Sequence, residues 1–147
     1  MKKFLLLVPF SLLFFAVSCR SVEENPAPVQ TNSFTSSGEA VGGRMLDAFD
    51  SGNYRNFAGC IPPELAKEFD SKAFEAGRKQ VCDRAGTLKS HRFLGVLTGP
   101  VFHNFLWATS FERKNSEGKL QTQELLFKVT AAETDGKCRV VSFGFLF

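Results

Sequence analysis

The sequence predicts an α+β domain in which three N-terminal helices pack on a curved four-stranded antiparallel meander. Between Gly38 and Gly86 apolar residues recur every three or four positions, and after Gly86 they recur every second position. The second half is also cut by three short clusters, Thr98-Gly99-Pro100, Asn115-Ser116-Glu117-Gly118 and Thr134-Asp135-Gly136. Connections this short join antiparallel neighbours, because parallel strands need a crossover of a dozen residues or more.

The first helix is expected from Gly38, with Val41, Met45, Ala48 and Phe49 on one face, and to close at Ser51-Gly52-Asn53, residues suited to a left-handed last turn. Gly42-Gly43 inside it follow no strand, so they form no phosphate loop, and close helix packing is their simplest reason. Pro62-Pro63 opens a second helix running to about Phe69. Asp70 or Ser71 caps the third, whose Phe74, Gly77 and Val81 share a face before Gly86 ends it.

Residues 88–97, 101–112, 120–131 and 137–147 then read as strands rich in phenylalanine, valine, leucine and threonine. In the last, Val141, Phe143, Phe145 and Phe147 are expected on the core face, with Val140, Ser142, Gly144 and Leu146 on the other. The second strand is apolar on both faces: Val101, Phe105, Trp107 and Phe111 on one, Phe102, Leu106 and Ala108 on the other. A two-sided strand suits a central position and leaves an apolar patch or homodimer interface on the face away from the helices. Glu124 and Lys128, with Leu126 between them, mark the wetter side of the third strand.

Ahead of this domain, Lys2 and Lys3 precede an apolar run from Phe4 to Val17, and Ala16-Val17-Ser18 closes on Cys19. A spanning helix needs about 20 apolar residues to cross roughly 30 Å of hydrocarbon, so the run is too short to span. It resembles a bacterial lipobox, although alanine stands where such boxes usually carry leucine. The resemblance implies a signal peptide over residues 1–18 and a lipid-bearing Cys19 as the first mature residue. Residues 19–37 are read as the lipidated cysteine and a flexible tether, because RSVEENPAPVQTNSFTSS has little apolar surface to offset ordering entropy. Arg20, where an aspartate would resemble an inner-membrane retention signal, points to the outer membrane of a bacterial cell envelope.

What remains, residues 38–147, has the length of one domain with a real core. The formal charge is +3, and removing Lys2 and Lys3 reduces it to +1, which argues against nucleic acid as a partner. Of seventeen phenylalanines only Phe4, Phe10, Phe14 and Phe15 fall in the leader, so the core is expected to be phenylalanine-rich. Cys60, Cys82 and Cys138 remain once Cys19 is lipidated. Export favours one disulfide, with Cys60 and Cys82 as the candidate pair worth roughly 3 kcal/mol; three unpaired, largely buried thiols are the alternative. No cysteine spacing suits a zinc site, and neither a metal nor a cofactor is implied.

The stretch from Val41 to Phe57, in which Met45-Leu46-Asp47-Ala48-Phe49 leads into Ser51-Gly52-Asn53-Tyr54, resembles the opening of nuclear-transport-factor-2-like (NTF2-like, cystatin-like cone) domains, with Asn53 in place of their common aspartate. The resemblance covers residues 38–147 and implies a cone whose curved sheet wraps the first helix around a pocket. Relatives similar to ketosteroid isomerase place an acid–base carboxylate and a tyrosine inside that cone. No such constellation carries over onto this chain, and fold alone does not imply function.

Candidate chemistry is sparse. Tyr54 could donate into a pocket or pack its ring with the hydroxyl on a backbone carbonyl. Asp47 and Asp50 stand three apart on the first helix. A hairpin turning at Gly99 could bring His91 and His103 together, without further metal ligands in view. Between Ser71 and Arg92 six basic residues, including Arg78, Arg84 and Lys89, outweigh Glu75 and Asp83. The reading these residues support is a lipid-anchored, non-catalytic envelope module that binds a partner protein or a small apolar ligand. Its surface candidates are Tyr54, Phe105, Trp107, Phe111 and Leu126. The competing class is a small isomerase or hydrolase using Tyr54, Asp50 or His103 inside the cone.

Overall fold

Four helices precede one antiparallel sheet among the described residues, 33–135 and 137–147, of the computed structural model. The helices are α1 (Ser33–Ser51), α2 (Tyr54–Ala58), α3 (Pro63–Glu68) and α4 (Ser71–Ala85). The strands β1 (Thr87–Thr98), β2 (Phe102–Lys114), β3 (Leu120–Thr134) and β4 (Lys137–Leu146) pair antiparallel in chain order. The architecture is therefore the expected α+β meander with one additional helix. α2 has only five residues, too few to show a period; its sign is Asn53, whose side-chain oxygen accepts from the Asn56 amide at 3.1 Å. The leader, Cys19 and residues 20–32 lie outside the described residues.

α1 starts ahead of the expected Gly38. Phe34 is the cause: it is buried, and its ring packs on His103 and Phe105 with centroids 4.7 and 5.6 Å apart. Burial of that ring offsets the ordering of an otherwise polar turn, so residues 33–37 belong to the helix and not to a tether. Further along the same face the helix lies directly on β2. A Cβ on Gly38 would come 2.1 Å from the Phe105 ring, and one on Gly42 would come 2.0 Å from Trp107. The helix closes where expected, with the Asn53 amide donating to the Ala48 carbonyl at 2.9 Å and Gly52 at φ +68°.

The inner sheet face is built from Phe105, Trp107, Thr109 and Phe111 on β2 and Leu125, Phe127, Val129 and Ala131 on β3, all buried. Thr109 remains satisfied there because its hydroxyl donates to the Leu125 carbonyl at 2.8 Å. Register shifts leave Lys89, Leu94 and Val141 as extra residues, and bulges of this kind bend a sheet. The one at Val141 corrects the reading of the last strand. An inserted residue reverses the alternation, so Val140 is 3% exposed and Val141 44%. Phe143 and Phe145 still pack against the core, whereas Phe147 is exposed.

Candidate functional site

The inner face of α4 has a gap. Asp70 caps the helix by accepting from the Ala73 amide at 2.9 Å, and Phe74 and Val81 then turn inward and are buried. Gly77 lies between them on the same face, and a Cβ there would meet nothing within 4 Å. The missing side chain opens onto a cavity of about 340 Å³ between α4 and the sheet. That volume lies at the low end of the roughly 300–1,000 Å³ typical of small-molecule sites.

Phenylalanine makes the wall. Phe49 and Phe57 come from α1 and α2, Phe69 follows α3, Phe74 comes from α4, and Phe127, Phe143 and Phe145 come from the sheet. Phe143 meets the edges of Phe57 and Phe69 at 5.0 Å each, with interplanar angles of 73° and 80°. Such edge-to-face pairs add about 0.5–1.5 kcal/mol beyond area burial and hold the wall in shape.

Polar groups reach the cavity only through Gln80, Arg78 and Arg84. Arg78 is already engaged, its Nε donating to the Phe49 carbonyl at 2.7 Å and an Nη to the Asp50 carbonyl at 2.9 Å. It thereby complements the negative end of α1 and ties α4 to it. Arg84 stands 5.3 Å over the ring of Phe147, a cation–π contact on the same lining. Among the lining residues there is no carboxylate, imidazole, hydroxyl or thiol. The arrangement can enclose an apolar group beside a cation; it supplies no acid–base pair.

The expected surface residues stand elsewhere. Phe105, Trp107 and Phe111 are at most 1% exposed, because β2 runs under α1 and its inward side chains are core and not a binding face. Leu126 is half-buried on the opposite sheet face, paired with Ala108 and Leu146. Tyr54 is half-buried, its ring 5.9 Å from Phe74 and its hydroxyl 3.1 Å from the Phe69 carbonyl and 3.3 Å from that of Ala66. It ties down the end of α3.

Nor do the polar candidates converge. His91 pairs with Thr109 and His103 with Thr98 in the β1–β2 ladder, which separates the two histidines along its length. His91 Nε2 lies 3.0 Å from Asp47 Oδ1, and His103 packs against Phe34 with the two rings tilted by 60°. The expected Cys60–Cys82 disulfide is absent, since Cys60, Cys82 and Cys138 are all free thiols. Cys60 lines a groove with Cys138, while Cys82 lines a depression with Gly52 and Arg78. Burial pushes the Cys138 thiol pKa up. Of the basic cluster, Arg78 caps α1, Lys79 pairs with Asp83 at 2.6 Å and Lys89 lies 3.9 Å from Glu112.

Sequence reasoning missed the cavity although its signal was present: Phe74, Gly77 and Val81 place a vacancy between two inward side chains. The remaining wall residues lie far apart in sequence, and only the sheet and helix packing assembles them.

No protein-family model and no curated protein matches the sequence. In structure the chain is similar to a SEC-C motif containing protein from Rhodopseudomonas palustris, with 15% identity over 77% of this chain and 80% of that one and a TM-score of 0.51. Aln2 from a Streptomyces species overlaps at 14% identity, over 75% of this chain and 87% of that one, with a TM-score of 0.48. An Rd1NTF2 variant overlaps at 10% identity, over 74% and 96%, with a TM-score of 0.45. The first likeness bears on fold alone. Helices packed against a bent antiparallel meander are also the arrangement that the NTF2-like resemblance implies.

Proposed function

We propose that the protein is a lipid-anchored, non-catalytic module of the bacterial cell envelope that holds a small apolar ligand in the phenylalanine-lined cavity. The observation that carries the ligand reading is the cavity beneath Gly77, walled by aromatic rings and free of acid–base side chains. Arg84 at its lining favours ligands that also carry an acidic group. The anchor reading rests on Lys2-Lys3, the short apolar run and Ala16-Val17-Ser18-Cys19, and Arg20 favours the outer membrane. The isomerase or hydrolase alternative is not favoured, because none of Tyr54, Asp50 and His103 lines the cavity.

Gly77→Leu tests the ligand reading. Leucine is the better helix former and its side chain would occupy the cavity, so the fold should hold while binding of a fluorescent long-chain fatty acid weakens about tenfold or more. No saturable binding by the parent protein, or equal binding by the variant, would overturn it. The anchor is tested separately by Cys19→Ala, which should abolish palmitate labelling and release the protein from membranes; unchanged labelling would refute it.

A further inference from the structure

We infer that the tip of the β1–β2 hairpin is a membrane-contact surface, on which Leu97, Val101 and Phe102 rest against the headgroup–acyl boundary of the bilayer that holds Cys19. The inference builds on the lipid-anchor reading and adds the face that the domain turns toward the membrane.

Leu97, Val101 and Phe102 are 62, 62 and 46% exposed, and all three flank the turn of one hairpin. Leucine and phenylalanine at such an edge suit the interfacial zone of a bilayer, where apolar side chains leave water while the backbone stays near polar headgroups. The turn itself is compatible with that zone, because Pro100 has no N–H and the Gly99 amide donates to the Phe102 carbonyl at 3.0 Å. Charge agrees. No aspartate or glutamate occurs between Asp83 and Glu112, and Glu112 stands opposite Thr87 at the far end of the hairpin, so anionic headgroups meet no carboxylate at its tip. The β3–β4 hairpin reaches the same end of the sheet and carries Glu133 and Asp135 together with Lys137 and Arg139, which balance.

The direction of α1 supplies the occupant. Phe34 packs on His103 and Phe105, Gly42 on Trp107, and Phe49 on Phe111, so the helix runs alongside β2 from the hairpin tip toward the far end. The chain therefore enters the described domain beside the tip. Residues 20–32 are all that separate Cys19 from Ser33, a connection of at most about 50 Å even if fully drawn out. β2 has 13 residues and is about 40 Å long. Turning the far end to the bilayer would use most of that reach, whereas turning the tip to it uses little.

The test uses the full lipidated protein on phosphatidylethanolamine–phosphatidylglycerol vesicles with and without brominated acyl chains. Phe102→Trp and Leu97→Trp place a fluorophore at the tip, and Leu120→Trp places one on an equally exposed residue at the opposite end of the sheet. Trp107 is buried and contributes the same background to each. Bromine should quench the two tip tryptophans about twofold or more and leave the Leu120→Trp signal unchanged. Equal quenching at all three positions, or none, in protein whose Cys19 carries lipid by mass spectrometry would overturn the contact and leave the anchor standing. A free Cys19 thiol in protein that stays off the vesicles overturns both. Quenching confined to the tip with a free Cys19 thiol keeps the surface and discards the anchor.

Discussion

Substituting Gly42 by alanine should destabilise the domain, although alanine is the better helix former by about 1 kcal/mol. The added Cβ would lie 2.0 Å from the Trp107 ring, and carbon atoms rest at about 3.5–4.0 Å, so the helix or the indole must move by roughly 1.5 Å. Trp107 cannot move freely, since Phe93, Phe127 and Phe105 surround it at 5.2, 5.9 and 6.5 Å. Overpacking of this kind costs about 1–3 kcal/mol, and the upper end applies here, leaving a net loss of about 2 kcal/mol. Gly43 is the internal control. A Cβ there meets nothing within 4 Å, so Gly43→Ala should keep the helix-propensity gain of up to about 1 kcal/mol. Two adjacent glycines should thus differ by about 3 kcal/mol, or roughly 12 °C in Tm at about 4 °C per kcal/mol. Urea unfolding followed through Trp107, the single tryptophan of the chain, reads the difference. A Gly42→Ala variant as stable as Gly43→Ala would refute the claim that the α1 backbone rests directly on the Trp107 ring.

Thr109→Val keeps the shape but removes the bond to the Leu125 carbonyl, and should lower the unfolding free energy by about 1 kcal/mol in the same titration. Tyr54→Phe should cost a similar amount, about 0.5–1.5 kcal/mol, and leave fatty-acid binding unchanged, because the hydroxyl serves α3 and not the cavity. Asp70→Ala should cost about 1 kcal/mol through loss of the α4 cap, visible as earlier loss of helical circular dichroism on heating. Because burial raises the Cys138 pKa, less of its thiol is ionised at a given pH in the folded chain. Iodoacetamide at pH 8 should therefore modify Cys138 more slowly in native protein than in urea; equal rates would count against the burial.

The order of elements was legible because each carries its own local code: period, cap and turn residues all lie within a few positions of one another. Asp70, Gly52, Gly86 and the clusters at Gly99-Pro100 and Asn115–Gly118 bound their elements as the patterns require. Two features escaped that code. Phe34 sits in a polar stretch, and nothing near it in sequence announces His103 and Phe105, the rings that make its burial favourable. Val141 breaks an alternation that is otherwise regular, and a bulge depends on the partner strand as much as on the strand that holds it.

The same distinction governs the site. Phe105, Trp107 and Phe111 looked like a binding face because a strand that is apolar on both sides does not say which side the helices will cover. α1 covers that side, using Gly38 and Gly42 to come close, and the three rings became core. The cavity arose instead from Gly77 and from phenylalanines spread over the helical half and two strands, whose proximity no spacing in the chain encodes. Periodicity and capping are properties of neighbours along the backbone, so they can be read from residue order. A cavity is a property of volumes left over when distant surfaces meet, and it exists only once the sheet has bent and the helices have settled against it.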